Sequence, residues 1–265
     1  MNEKAHHLPK PPQVALLLTP RHECGYLPEQ EAATLFVDPG QTLTPSLYAY
    51  LVDRGFRRSG EHVYRPHCPA CNACIPVRVP VEQMKWSKSL KRVWKRNQRL
   101  THLEQPASYT PEYFDLYRRY QKNRHRGGSM DNPKPVNFTD FLTCPWMDTR
   151  FHEFREEGEL KLVLVLDHLP QGLSAVYSFY ASGEERRSLG TFAILWAARR
   201  ARALGLTWLY LGYWIPQCPK MDYKARFQPL EGFRGRSWQP IRINPDGSLA
   251  SPPYAPDPSI RSVPS

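Results

Sequence analysis

The sequence predicts a mixed α+β protein: a domain built on a mostly antiparallel sheet with flanking helices, preceded by a smaller cysteine-containing lobe. Three observations predict it. Residues 151–180 form a nearly unbroken run of strand formers, an amphipathic helix and a further strand follow over 191–214, and four of the six cysteines lie within the first 74 residues.

Residues 1–20 are rich in proline and histidine and read as an extended arm, with room at 14–18 for one short strand. The lobe over 21–100 alternates short elements. Residues 31–37 have strand character, and 44–54 form a helix with Thr44 as N-cap and Pro45 at its first position. Residues 56–65 form a hairpin about Ser59-Gly60. The lobe ends in a basic helix at 85–99. A second domain spans 101–240. It opens with an amphipathic helix at 111–120, followed by a second basic turn that ends at Gly127-Gly128, a helix stop and flexible loop.

Within 151–180 the turns fall at Glu157-Gly158 and Pro170-Gln171-Gly172, so the strands are consecutive and antiparallel. Leu189-Gly190 opens a helix over 191–204 that Gly205 closes, and the strand 208–214 follows. Antiparallel strands, then a helix, then a strand is the order of a GNAT-like acyltransferase fold. The tail over 241–265, rich in Pro, Ser and Asp, is expected to be disordered.

The chain carries 36 Lys and Arg against 25 Asp and Glu, a net charge of +11, which favours a polyanionic partner and nucleic acid before a membrane surface. No run approaches the ~18 apolar residues of a membrane span, and the start lacks a secretory apolar stretch, so the expected location is the cytoplasm. The excess charge is concentrated. Lys85, Lys88, Lys91, Arg92, Lys95, Arg96 and Arg99 share fifteen residues with no acid, and Trp86 and Trp94 lie among them. Such a helix suits RNA, the cations meeting phosphates and the indoles stacking on bases.

Cys68, Cys71 and Cys74 recur at three-residue spacing, with Cys24 in Cys24-Gly25-Tyr26 upstream. Four thiolates could complete a zinc shell or hold an iron–sulfur cluster, and free buried thiols are the alternative. Cys144 and Cys218 have no partner at ligand spacing.

The motifs Cys24-Gly25-Tyr26, Tyr64-Arg65-Pro66-His67-Cys68, Ser129-Met130-Asp131-Asn132-Pro133 and the stretch 213–231 occur in the order found in arginyl-tRNA-protein transferases. Between residues 24 and 240 the chain closely resembles that family, and within it the bacterial aspartate/glutamate leucyltransferases. The resemblance implies transfer of an amino acid from its charged tRNA to the α-amine of a protein beginning with Asp or Glu, which marks that protein for degradation. No cofactor is needed, because the tRNA ester is already activated. Eukaryotic relatives carry Cys-Gly-Tyr-Cys and an adjacent Cys-Cys pair. Here Leu27 takes the fourth position and Cys71 and Cys74 are spaced apart, so a metal at Cys24, Cys68, Cys71 and Cys74 needs a shifted ligand set.

Aminolysis of an ester requires a neutral amine, a stabilised tetrahedral oxyanion and a proton path to the departing ribose hydroxyl. Candidate cations for the acceptor's carboxylate are Lys220, Lys224 and Arg226, with Arg78 and Arg124 behind them. Asp222 is the candidate to hold the acceptor ammonium and take its proton, and Tyr213 or Tyr223 to donate to the oxyanion. The compact chain favours leucine over arginine as donor, though the two branches share one scaffold. Two other classes fit parts of the sequence. A zinc-stabilised RNA-binding module leaves 213–231 unexplained, and an acetyl-CoA-dependent acetyltransferase lacks its glycine-rich turn, since 187–193 keeps only Gly190.

Overall fold

A computed structural model describes residues 12–124, 131–216, 218–244 and 249–250. The expected turn at Gly127-Gly128, Ser129 and Met130, and most of the arm and tail lie outside the described residues. The fold is α+β, with a mostly antiparallel eight-stranded sheet flanked by helices.

The first strands are β1 (Leu16–Leu18), β2 (His22–Glu23), β3 (Glu31–Ala32) and β4 (Thr34–Val37), so the strand expected over 31–37 breaks at Ala33. Helix α1 (Pro45–Val52) starts as its cap predicts, with the Leu47 amide donating to Thr44 Oγ1 at 3.2 Å. The hairpin is β5 (Arg57–Ser59) and β6 (His62–Pro66). Gly60 turns it at φ 58°, and a Cβ there would come 1.8 Å from the carbonyl oxygen of Asp140. Strands β1, β4, β6 and β5 form a small antiparallel sheet.

Strand β7 (Ile75–Pro80) and helix α2 (Lys88–Arg96) come next. Ser87 caps α2, so the helix begins three residues after Lys85. The remaining elements are β8 (Thr101–Pro106), α3 (Pro111–Arg124), α4 (Pro135–Leu142), β9 (Thr149–Glu156), β10 (Glu159–Leu169), β11 (Gly172–Tyr180), α5 (Leu189–Ala203), β12 (Trp208–Trp214), β13 (Glu231–Arg234) and β14 (Ser237–Pro240). The large sheet runs β14-β13-β7-β12-β11-β10-β9-β8, and β7 is hydrogen-bonded between β12 and β13.

Sequence periodicity explains the layers. In β10 the side chains of Leu162, Leu164 and Leu166 join the core beneath α5, while Val163 and Val165 join the core beneath α3 and α4. A strand covered on both faces reads as a continuous apolar run, which is why 160–166 shows no polar alternation beyond Lys161. Each fully buried Leu or Val contributes about 1.5–3 kcal/mol. The small sheet is bolted to β10 by Arg58, whose Nε and Nη2 donate to Asp167 at 2.7 Å each, with both side chains inaccessible to solvent. Thr149 and the Gly60 carbonyl accept from the same guanidinium.

Candidate active site

Strands β11 and β12 are the one parallel pair of the large sheet, and they separate early. Their register holds only from Gly172↔Trp208 to Ser174↔Tyr210. Each strand then carries a bulge. Val176 is the extra residue between Val165↔Tyr177 and Leu166↔Ala175, and Leu211 is the extra residue between the Tyr210↔Arg78 and Gly212↔Val77 pairs. A bulge bends its strand, so two bulges just past the last shared pair drive the strands apart. Gly212, at φ 70°, supplies the backbone conformation on the β12 side.

Tyrosines and unpaired cations collect around the separated ends. Tyr180 lies 4.8 Å from Tyr120, and a side chain at Gly190 in the first turn of α5 would press on the Tyr180 ring at 3.3 Å. Arg57 extends from β5 past Tyr64 and Tyr213, 5.8 and 5.7 Å from their ring centres, and its Nη1 reaches within 3.4 Å of where a Cβ on Gly212 would sit. Lys224 is buried in the 3₁₀ turn Asp222–Arg226, where its ammonium nitrogen donates to the Tyr213 carbonyl. Burial first, and then the charge of Arg57, lower its pKa to about 7. Tyr223 is half-buried; burial raises its pKa, and it lies within the electrostatic reach of Tyr180, Arg124 and Arg57.

The other candidates have different surroundings. Asp222, Lys220, Arg226 and Arg124 are exposed. The Tyr213 hydroxyl is buried and faces two backbone carbonyls, those of Gly55 and Tyr64, each at 3.1 Å. Arg78 is matched: its Nε donates to Glu231 at 2.8 Å and its Nη1 to Asp53 at 3.0 Å, and its guanidinium stacks 3.5 Å from the Trp208 ring centre.

All seven cations predicted for RNA are exposed, and none forms an ion pair among the described residues. Helix α2, which ends at Arg96 and carries five of them, is held against the loop before α5. Arg96 Nη1 donates to the Arg186 carbonyl at 2.7 Å, and the Asn97 amide donates to the Arg187 carbonyl at 2.9 Å. Trp86 and Trp94 pack on each other, and Trp94 on Phe192, so both indoles contribute to the edge of the core.

Cys24, Cys68, Cys71 and Cys74 line one cavity of roughly 170 Å³. Burial, and then the neighbouring thiols, push Cys74 up to about 12, which favours its protonated form. The Cys68 thiol points at the Ala33 carbonyl, 3.8 Å away. Among the described residues no three His, Cys, Asp or Glu side chains are grouped to hold a metal ion. The thiols are neighbours without being a closed ligand shell among the described residues.

Arg57 and Tyr180 were not evident from the sequence. Strand alternation in 56–65 carries the missing signal for Arg57: in a hairpin, adjacent Arg57 and Arg58 must point to opposite faces. One belongs to the core and the other to the site.

An exposed run of cations beside strands that separate among tyrosines, Arg57 and Lys224 suits a transferase that works on a nucleic-acid-borne substrate. The chain belongs to that class by descent: it is a member of the arginine-tRNA-protein transferase family, matching the family's N-terminal model over residues 22–92 and its C-terminal model over 112–234. It is 50% identical over 220 residues to an aspartate/glutamate leucyltransferase of Pseudomonas fluorescens, covering 83% of this chain and 94% of that one. A protein of the same name from Alcanivorax borkumensis is 49% identical over 221 residues, covering 83% and 91%. The solved structure of L-PGS from Bacillus licheniformis aligns with a TM-score of 0.42 at 10% identity, covering 53% of this chain and 45% of that one, too slight a likeness to assign a fold.

Proposed function

We propose that this protein is an aspartate/glutamate leucyltransferase, moving leucine from leucyl-tRNA to the N-terminal α-amine of proteins that begin with Asp or Glu and so marking them for degradation. The observation that carries the reading is identity of about half over nearly the full length of relatives bearing that name. The reaction is an aminolysis. The acceptor nitrogen attacks the ester carbonyl, the tetrahedral oxyanion collapses, and the bond to the ribose oxygen breaks while that oxygen takes up a proton. Leucine arrives activated, so the chemistry calls for no cofactor. A cytoplasmic setting, where charged tRNA is found, belongs to the same reading; among the described residues no helix is long and apolar enough to cross a membrane.

Lys85, Lys88, Lys91, Arg92, Lys95, Arg96 and Arg99 meet the tRNA backbone, supported by their exposure and by the lack of ion pairs among the described residues. Within the turn Asp222–Arg226, Asp222 offers its carboxylate to the acceptor ammonium and Tyr223 its hydroxyl to the oxyanion. Lys224, neutral for part of the time at pH 7, is suited to receive the ammonium's proton rather than to bind a carboxylate. Lys220, Arg226 and Arg124 add positive potential.

The finer description of the fold, a GNAT-like transferase domain after a cysteine lobe with a division near residue 100, is supported by the separating parallel pair beside α5 and by the interval between the two family matches. An arginine donor would need a carboxylate in the donor pocket. The test is intact-mass analysis of reporter proteins beginning with Asp, Glu or Ala after incubation with leucyl-tRNA. Addition of one leucyl residue to the two acidic reporters alone is expected, and no addition to any overturns the reading.

A further inference from the structure

We infer that Arg57 is the cation that receives the side-chain carboxylate of the acceptor's first residue, and therefore the group that selects Asp and Glu. This assignment deepens the transferase reading and rests on it. Arg57 and Arg58 are consecutive on β5 and point to opposite sides, as their partners on β6 require: Arg57 is opposite Tyr64, and Arg58 opposite Val63. Arg58 is fully matched by Asp167, Thr149 and the Gly60 carbonyl. Arg57 is only partly exposed, yet among the described residues its side chain has no carboxylate and no hydrogen-bond acceptor. Around it lie the rings of Tyr64 and Tyr213 and the bare backbone of Gly212, with Tyr26, Tyr48 and Lys224 within electrostatic reach.

A partly desolvated guanidinium walled by aromatics and left without an anion is costly unless something supplies one. Its planar fork fits a carboxylate with two hydrogen bonds. The site also satisfies the second demand of the acceptor. Lys224 is close enough for the charge of Arg57 to depress its proton affinity, so a carboxylate-binding cation and a proton-accepting amine stand together, as an N-terminal Asp or Glu needs. The alternatives fit less well: Arg78 already has two carboxylates, and Lys220 and Arg226 are exposed, where ion pairs contribute little.

The test uses peptides labelled at their C-terminus and beginning with Asp or Asn, which differ in charge and hardly in size. Binding is read by fluorescence anisotropy with the full chain. The wild type is expected to prefer the Asp peptide by about 10- to 100-fold. Arg57→Gln should bind the two peptides alike, and Arg57→Lys should keep part of the preference. An undiminished preference in Arg57→Gln, or none in the wild type, overturns the assignment. Modification of wild-type Arg57 by phenylglyoxal, mapped by mass spectrometry, removes any dependence on variant folding. The Asp peptide should protect Arg57 and the Asn peptide should not; equal reactivity with both would overturn the assignment. Leucine transfer measured on the same samples separates the two claims. Preference without transfer counts against the transferase reading and leaves Arg57 assigned, whereas transfer without preference does the reverse.

Discussion

The two faces of β5 treat the same charge in opposite ways. Toward the core, Arg58 meets Asp167 and Thr149 out of contact with water; toward the separated strands, Arg57 meets the rings of Tyr64 and Tyr213 and no carboxylate among the described residues. The contrast recurs across the molecule. Arg78 and Arg187 are paired with carboxylates in partly buried surroundings, whereas Lys224 and the α2 cations have none among the described residues. Matched charge holds the two sheets and the α5 loop in place; in the proposed reading, unmatched charge on Arg57 and α2 is left for anions that come from outside, and the unmatched Lys224 gives up its proton.

The sharpest way to break this division is to remove a matched partner. Asp167→Ala strands a buried guanidinium, and chemical denaturation should show a loss of about 3–5 kcal/mol. Arg57→Gln, on the other face, should leave the unfolding midpoint unchanged or raise it slightly, because it removes a guanidinium that has no anion. Equal losses from both would erase the distinction.

A second contrast sets α2 against its own anchor. Reversing Lys91, Arg92 and Lys95 to Glu should weaken tRNA binding by tenfold or more at ~0.1 M salt and flatten its salt dependence, without lowering thermal stability. Arg96 is left in place because it holds the Arg186 carbonyl. Unchanged filter retention of tRNA would remove α2 from the docking surface.

Lys224 tests the division through pH. Folded, it loses its proton near pH 7, whereas an unfolded lysine keeps it to ~10.4, so folding expels a proton between those values and stability rises with pH across that window. In the proposed role, protonation below pH 7 also removes the proton acceptor. Transfer should therefore fall as pH drops through 7, beyond the fall due to the acceptor amine near ~8. In Lys224→Gln the first limb should vanish and the second remain; an identical profile in both would refute the role.

The smallest expected effect is that of a chelator. Dialysis against EDTA should leave the transfer rate unchanged, since the proposed aminolysis calls on no metal; proportionate loss and recovery with zinc would restore the cysteines to the chemistry.

Legibility in the sequence followed periodicity. The helix at α5, the strand β12 and the hairpin at β5 and β6 were all evident, because alternation, a Thr or Gly at the right end and flanking turns agree there. Strand β7 was hidden by Pro76 and Pro80, which read as loop; β13 pairs it only at Arg78 and Val77, so the ladder leaves room for them. Helix α4 is too short for a periodic signal. The seven cations of 85–99 stood out by composition, whereas Arg57 was masked by its neighbour, and its isolation depends on Tyr64, Tyr213 and Gly212 arriving from two other strands.

The most direct test is a competition in one tube. Leucyl-tRNA and arginyl-tRNA with different isotopes are offered together with peptides beginning with Asp and Asn, and the products are separated. Leucine on the Asp peptide alone is the predicted result. Arginine in its place, or equal labelling of Asp and Asn, would contradict the account.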